Sequence, residues 1–218
     1  MTDPATRLAE VRSRIARAAK AAQRNPKDVT LVAVTKQRPV AVIEPLIAAG
    51  VTDFGENRAA EARVKWPALR AVHPNLRLHM IGQLQSNKAA EAVELFDVIH
   101  SLDRPSLLDA LVREGERAGR FPEVFVQVNI GAEEQKGGVA IDLLPELLAD
   151  VRASPLPLAG LMAMPPNGLE AGPFFALLAE LARRHGVAGL SMGMSGDYPT
   201  AVMLGATTVR VGSALFED

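Results

Sequence analysis

Residues 29–50 read VTLVAVTKQRPVAVIEPLIAAG, and the fold turns on how they divide. Val29–Thr35 is a run of apolar and β-branched residues, the composition of a buried strand. Val40–Ala49 has the spacing of a helix and stops at Gly50, the residue that accepts a left-handed helix end without a Cβ penalty. The polar stretch Lys36–Pro39 lies between them.

Outward from that unit the pattern repeats. Val51–Phe54 is expected as a strand before a helix at Arg58–Leu69 that ends near Pro67, then strand Leu76–Ile81 and helix Asn87–Leu95. Strand Asp97–Ser101 precedes helix Pro105–Ala118, and strand Glu123–Ile130 precedes helix Leu143–Arg152. Strand Leu158–Met162, helix Gly172–Arg184, strand Ala188–Met192, helix Tyr198–Leu204 and strand Thr207–Val211 complete the series. Alternating βα units imply parallel strands with right-handed crossovers. Eight strands in this length imply an α/β fold, a (β/α)8 TIM barrel. The alternative is an open doubly wound sheet, but no glycine-rich dinucleotide turn follows the first strand. Ahead of the barrel, Met1–Asn25 places Leu8, Val11, Ile15, Ala18, Ala19 and Ala22 at helical spacing among basic residues. An extra N-terminal amphipathic helix packed on the barrel is expected there, capped by Asp3 with Pro4 in its first turn, rather than a secretory signal.

Composition sets the limits. The chain has 218 residues, 48% hydrophobic and 22% charged, which excludes a disordered chain. Lys+Arg number 24 against 25 Asp+Glu, a net charge of −1, so no basic footprint points to nucleic acid or an anionic membrane. Without cysteine there are no disulfides, thiolate metal sites or cysteine nucleophiles, which suits a reducing cytosol. No apolar run approaches the roughly 18 residues of a membrane-spanning helix. The expectation is one domain over residues 1–218, cytoplasmic, with no further domain, and a monomer or weak dimer.

Barrel chemistry sits at the C-terminal ends of the strands. Those ends carry Lys36, Gly55-Glu56-Asn57, Gly82–Lys88, Ser101, Asn129, Met164-Pro165-Pro166, Ser191–Gly196 and Arg210–Ser213, a concentration of polar residues and glycine on one rim. Lys36 shares a strand face with Val32 and Val34 by period-2 alternation. If that face lines the barrel, the amine emerges at the mouth, where burial would favour its neutral form, nucleophilic toward an aldehyde; the alternative is a solvated strand-end lysine. Ser195 and Gly196, with Gly212, Ser213 and a last helical turn at Ala214–Phe216, have the make-up of a phosphate grip between the loops after strands seven and eight; the alternative is two routine turns. Arg210, on a face with Thr208 and Gly212, needs an anion or a strong acceptor, or else an ion pair with a carboxylate such as Glu56 or Asp197. His79 and Asn129 are expected as satisfied core polar groups. The histidines lack spaced acidic partners, so no metal site is expected.

Six stretches then resemble one family: AVTK (33–36), FGENRAAE (54–61), HMIGQLQSNK (79–88), VNIGAEEQKGG (128–138), GLMAMPP (160–166) and LSMGMSGDYPTAVMLGATTVRVGSALF (190–216). They resemble, in order and across the chain, the YggS/PROSC family of pyridoxal 5′-phosphate (PLP) homeostasis proteins. The resemblance implies a barrel like the N-terminal domain of bacterial alanine racemase, with PLP held as an internal aldimine on Lys36. It further implies that Asn57 helps to hold the cofactor, that Ser195, Gly212 and Ser213 hold its phosphate, and that Arg210 faces the pyridine nitrogen. Ser191, Met192 and Ile81 are expected to line the pocket. Three departures from the family pattern, Arg58, Leu78 and the end Phe216-Glu217-Asp218, bear on packing of the pocket wall.

The resemblance implies a carrier that buffers PLP and delivers it to apoenzymes as transient recipients, with no robust catalysis. The alternative is a PLP-dependent amino-acid racemase or related enzyme on the same barrel; a Schiff-base aldolase is weaker, because no acid/base pair lies beside the lysine. An arginine at the pyridine nitrogen leaves the ring a weak electron sink. A racemase of the related fold also needs a second base from an appended domain, and the one tyrosine, Tyr198, is expected to pack in the core.

Overall fold

The computed structural model describes residues 4–133 and 135–216; the cap expected at Asp3 and the departure at Glu217-Asp218 lie outside them. Helix α1 (Pro4–Ala21) precedes the barrel. Then β1 (Thr30–Val34) leads to α2 (Val40–Ala48), β2 (Asp53–Glu56) to α3 (Ala59–Val72), β3 (Arg77–Met80) to α4 (Ala89–Leu95) and β4 (Val98–Leu102) to α5 (Pro105–Ala118). Next, β5 (Glu123–Gln127) leads to α6 (Leu144–Ala153), β6 (Leu158–Met162) to α7 (Gly172–Arg184), β7 (Leu190–Ser191) to α8 (Tyr198–Met203), and β8 (Thr208–Val211) to the short α9 (Ser213–Phe216). Every strand pairs in parallel with its successor, and β8 returns to β1 with Val32 opposite Arg210, closing the barrel. The (β/α)8 expectation holds.

Alternation divides the strand residues between two cores. Ala33, Phe54, Leu78, Ile99, Val126, Leu161 and Val209 face outward and pack with the helices, whereas Val98, Phe125 and Met162 form a smaller cluster inside the barrel. Helix α1 buries Leu8, Val11, Ile15, Ala18 and Ala19, the stripe its spacing predicts. Arginines close several helix ends, where four carbonyls lack partners. Arg12 donates to the Ala49 and Gly50 carbonyls beyond α2, and Arg24 to those of Val202 and Ala206 around the end of α8.

Four elements differ from the sequence expectation. Helix α3 runs through Pro67 to Val72, because Trp66 and Leu69 continue its buried face and their packing outweighs the roughly 3 kcal/mol cost of an internal proline. Strand β2 lies two residues later than Val51–Phe54, since its pairing with β1 and β3 is centred on Phe54 and Gly55. Strand β5 ends at Gln127, not Ile130; beyond it Val128 forms a lone bridge with Val139, and Asn129 folds back on the Glu133 backbone through two hydrogen bonds. Strand β7 is only Leu190–Ser191. A Cβ on Gly189 would lie 1.9 Å from the Ala159 oxygen, and one on Gly160 would lie 2.2 Å from the Gly189 oxygen, so two backbones pass closely there instead of pairing regularly.

Candidate functional site at the barrel mouth

A cavity of about 770 Å³ opens at the C-terminal end of the barrel. Of the residues expected at the site, Lys36, Asn57, Ile81, Ser195, Arg210, Gly212 and Ser213 all line it. Ser191 and Met192 do not. Met192 alternates outward and is fully buried in the core beneath the helices, while Ser191 is fully buried inside the barrel, below Arg210. Leu78 likewise faces the outer core rather than the pocket wall, Arg58 is exposed ahead of α3, and Phe216 lies 5.2 Å beneath the Arg38 guanidinium. His79 is buried with both ring nitrogens paired, as expected of a core polar group.

Lys36 is exposed on the cavity lining, not buried as its strand position suggested. What fixes it is its neighbours. Thr35 is fully buried; its hydroxyl donates to Glu56 Oε1 (2.8 Å), and its carbonyl accepts from Lys65 Nζ (2.8 Å). Lys65 also bonds Glu56 and Glu61, and Trp66 Nε1 adds a third donor to Glu56 Oε1. On the other side of Lys36, the Gln37 amide donates to Glu61 Oε1 (2.6 Å), holding Gln37 in a left-handed conformation at φ +58. The end of β1 is thus clamped on both sides of the lysine. Glu56, Glu61, Lys65 and Trp66 were missed as supports. The only signal for them is the spacing of Glu56, Glu61 and Lys65, which makes sense once α3 folds back over β1.

Arg210 is 4% exposed and makes no ion pair among the described residues. Nη1 donates to Ser191 Oγ (2.5 Å) and Nη2 to the Ala163 carbonyl (3.1 Å). These use two of its five N–H groups, and the residue lines the cavity. Burial lowers its pKa to about 10, partly opposed by Asp197, so it remains a cation at neutral pH. Neither expected ion pair forms: Glu56 is held by Lys65, and the Asp197 carboxylate accepts from the Met194 amide. Beyond Ser191 the polar contacts continue through His100 and His79 to Asp53. Sequence reading passed over Asp53 and His100 because each looks ordinary on its own strand.

Just beyond Arg210 in the chain, the amides of Gly212 (3.1 Å) and Ala214 (3.3 Å) both donate to Ser195 Oγ. In this structure the serine hydroxyl oxygen accepts from both amides. A Cβ on Gly196, which lines the cavity, would meet nothing within 4 Å, so that turn faces open space. Among the described residues, no group of three or more His, Asp or Glu could hold a metal ion, and no helix is long and apolar enough to cross a membrane.

Comparison with known proteins joins these features. Residues 7–218 match the family described as alanine racemase, N-terminal domain. The chain is 41% identical over 223 residues to the pyridoxal phosphate homeostasis protein of Pseudomonas aeruginosa, covering 99% of this chain and 96% of that one. It is 42% identical over 219 residues to the namesake of Deinococcus radiodurans, covering 99% and 100%. The chain belongs to this family. Among solved structures, PipY of Synechococcus elongatus with PLP bound superposes with a TM-score of 0.84 at 39% identity, covering 98% of this chain and 99% of that chain. Alanine racemase from Corynebacterium glutamicum, at 20% identity and TM-score 0.67 over 94% of this chain and 60% of that chain, shares the fold.

Proposed function

We propose that the protein binds PLP at the barrel mouth and holds it for delivery to apoenzymes, as a carrier in PLP homeostasis. One observation carries the reading: a single cavity gathers an amine, a buried guanidinium and a converging pair of backbone amides. These match the aldehyde, the ring nitrogen and the phosphate of that cofactor. The fit rests on donor chemistry. Arg210 is a cation without a carboxylate partner among the described residues, and the Gly212 and Ala214 amides converge on one oxygen, that of Ser195. When bound, PLP supplies a reactive aldehyde and an electron-accepting ring.

Lys36 is the attachment point in this reading. Ser195, Gly212 and Ser213 hold the phosphate, Arg210 donates to the ring nitrogen, and Asn57 and Ile81 bound the ring. Because the guanidinium is a donor only, it favours an unprotonated nitrogen. The cavity lining supports carriage over turnover: it contains no aspartate, glutamate, histidine or tyrosine among the described residues, so no second acid/base group faces Lys36. Tyr198 is 1% exposed in the core, as its expected packing role requires. The same reading takes residues 1–218 as one cofactor-binding unit, a monomer or weak dimer in the cytoplasm, with PLP-dependent apoenzymes as transient recipients.

The test is chemical. Borohydride applied to the PLP-loaded protein should fix the cofactor irreversibly to the peptide carrying Lys36. Label found mainly on Lys88 or Lys136, or no label, overturns the site. Racemisation of alanine by the purified protein overturns the carrier reading.

A further inference from the structure

A barrel interior of this type is ordinarily filled by layers of branched aliphatic side chains. Here a line of polar side chains crosses it. Asp53 Oδ1 lies 3.0 Å from His79 Nε2, His79 Nδ1 lies 2.9 Å from His100 Nε2, and His100 Nδ1 lies 2.8 Å from Ser191 Oγ. Ser191 Oγ then accepts from Arg210 Nη1. His79, His100, Ser191 and Arg210 are all buried, and the His100 ring stacks on Phe125 with centroids 4.6 Å apart. Buried polar groups cost stability unless every one is partnered, so a chain this long calls for a reason.

We propose that Asp53, His79, His100 and Ser191 form a polarised hydrogen-bond relay that positions Arg210 as a fixed donor toward the cofactor's ring nitrogen; this rests on the PLP reading of the cavity. The direction proposed for each bond starts from the two ends. Asp53 is a carboxylate. Burial raises its pKa, but hydrogen bonds from His79 and Thr52, with the charge of Arg77, outweigh that and hold it below its ordinary value. It is therefore an acceptor only, and His79 Nε2 carries a proton. His100 is kept neutral chiefly by burial, with the nearby charges of Arg210 and Arg77 adding to it, so it carries one proton.

In the proposed relay each imidazole carries one proton, so His79 Nδ1 accepts. His100 then carries its proton on Nε2 and accepts at Nδ1, and the Ser191 hydroxyl donates to it. That leaves Ser191 only lone pairs to offer Arg210. The guanidinium is held by one directional acceptor chain plus the Ala163 carbonyl, and among the described residues no carboxylate is in contact with it to compete for its remaining donors. Asp53, at the far end of the barrel, is a positioning residue for Arg210 through three intermediaries.

The test begins without a cofactor and without a substitution. Long-range ¹⁵N–¹H NMR of the protein free of PLP should show His79 and His100 both neutral and both protonated at Nε2. A charged ring or an Nδ1–H tautomer at either position overturns the relay. In the same sample the Arg210 guanidinium protons should exchange slowly. Asp53→Asn offers His79 a donor as well as an acceptor and so removes the fixed direction; it should release those protons to fast exchange, as should Ser191→Ala.

With PLP loaded, each variant should shift the absorption band of the bound cofactor and speed its dissociation by about 2- to 30-fold, the usual range for coupling through a packed network. The double variant should exceed the larger single effect by little, because both cut one chain. Wild-type Arg210 signals and dissociation rates in folded Asp53→Asn overturn the proposal. If the wild-type protein retains no PLP, the reading of the cavity fails, and the cofactor-free measurements still decide the relay.

Discussion

Strand β2 carries two carboxylates, Asp53 and Glu56, on opposite faces of the barrel wall, and they meet positive charge in opposite ways. Glu56 points outward and is fully buried, and it takes Thr35, Lys65 and Trp66 on a single oxygen at 2.8–3.0 Å. Its cation is in contact, and the result is a clamp on the strand end that bears Lys36. Asp53 points inward and reaches Arg210 only through two imidazoles and a hydroxyl. Its cation is at a distance, and the guanidinium keeps donors for something else. Contact pairing rigidifies; pairing through neutral groups orients and leaves capacity unspent. The first supports the amine of the site, the second its guanidinium.

The comparison breaks most visibly at Glu56. Glu56→Ala would leave the buried Lys65 with the partly exposed Glu61 as its remaining carboxylate beside the Thr35 carbonyl, and would strand the Trp66 donor. A loss of about 3 kcal/mol is expected in urea unfolding, near the lower end for a broken buried pair because Glu61 remains. A loss under about 1 kcal/mol would show that the cluster is not the clamp described.

Arg210→Met tests the other arm. The expected change is in ligand binding: losing a charge-assisted hydrogen bond of about 1.5–3 kcal/mol should weaken PLP about 10- to 150-fold in a fluorescence titration. Unchanged affinity would mean that the spare donors are not used.

The smallest effect is in pH. The His100 value in the fold lies well below the ordinary 6.5, chiefly through burial. Below about 6.5 the unfolded chain therefore binds a proton that the fold refuses, and stability should fall with falling pH by up to about 1.4 kcal/mol per unit. Asp53 acts at lower pH: its carboxylate value is depressed, so its contribution is present above about 3.8 and is lost as pH falls through its folded-state value. Urea midpoints from pH 7 to 5 check the first effect. His100→Gln should flatten the slope.

The barrel and most of the mouth were legible in the sequence because both are local properties. Alternating runs mark the βα units, and Lys36, Ser195, Arg210 and Gly212 are polar residues or glycine at strand ends. What escaped depends on distant partners. Glu56 in a strand looks misplaced until Lys65 and Trp66, nine and ten residues on, return to it from α3. His100 meets Ser191 across 91 residues, which no window of periodicity spans. Ser191 was assigned to the pocket wall because its position in the chain is adjacent to the lining, whereas its side chain hangs one layer deeper. Pro67 was read as a stop signal, although the buried faces of Trp66 and Leu69 carry the helix past it.

Barrel closure has a consequence for the order in which this molecule is made. Lys36 follows the first strand and Arg210 lies on the last, so the pairing of Val32 with Arg210 joins residues from opposite ends of the chain. Such a contact has the greatest loop-closure entropy against it. Helix α1 lies beside that join, packing against α2, α8 and α9, with Arg12 bonded near one side and Arg24 near the other. The helix acts as a latch over the seam. A nascent or partly opened chain, however well its individual βα units have formed, cannot bring the amine and the guanidinium into one cavity, so under the proposed site capture of the cofactor would report that the ring has shut.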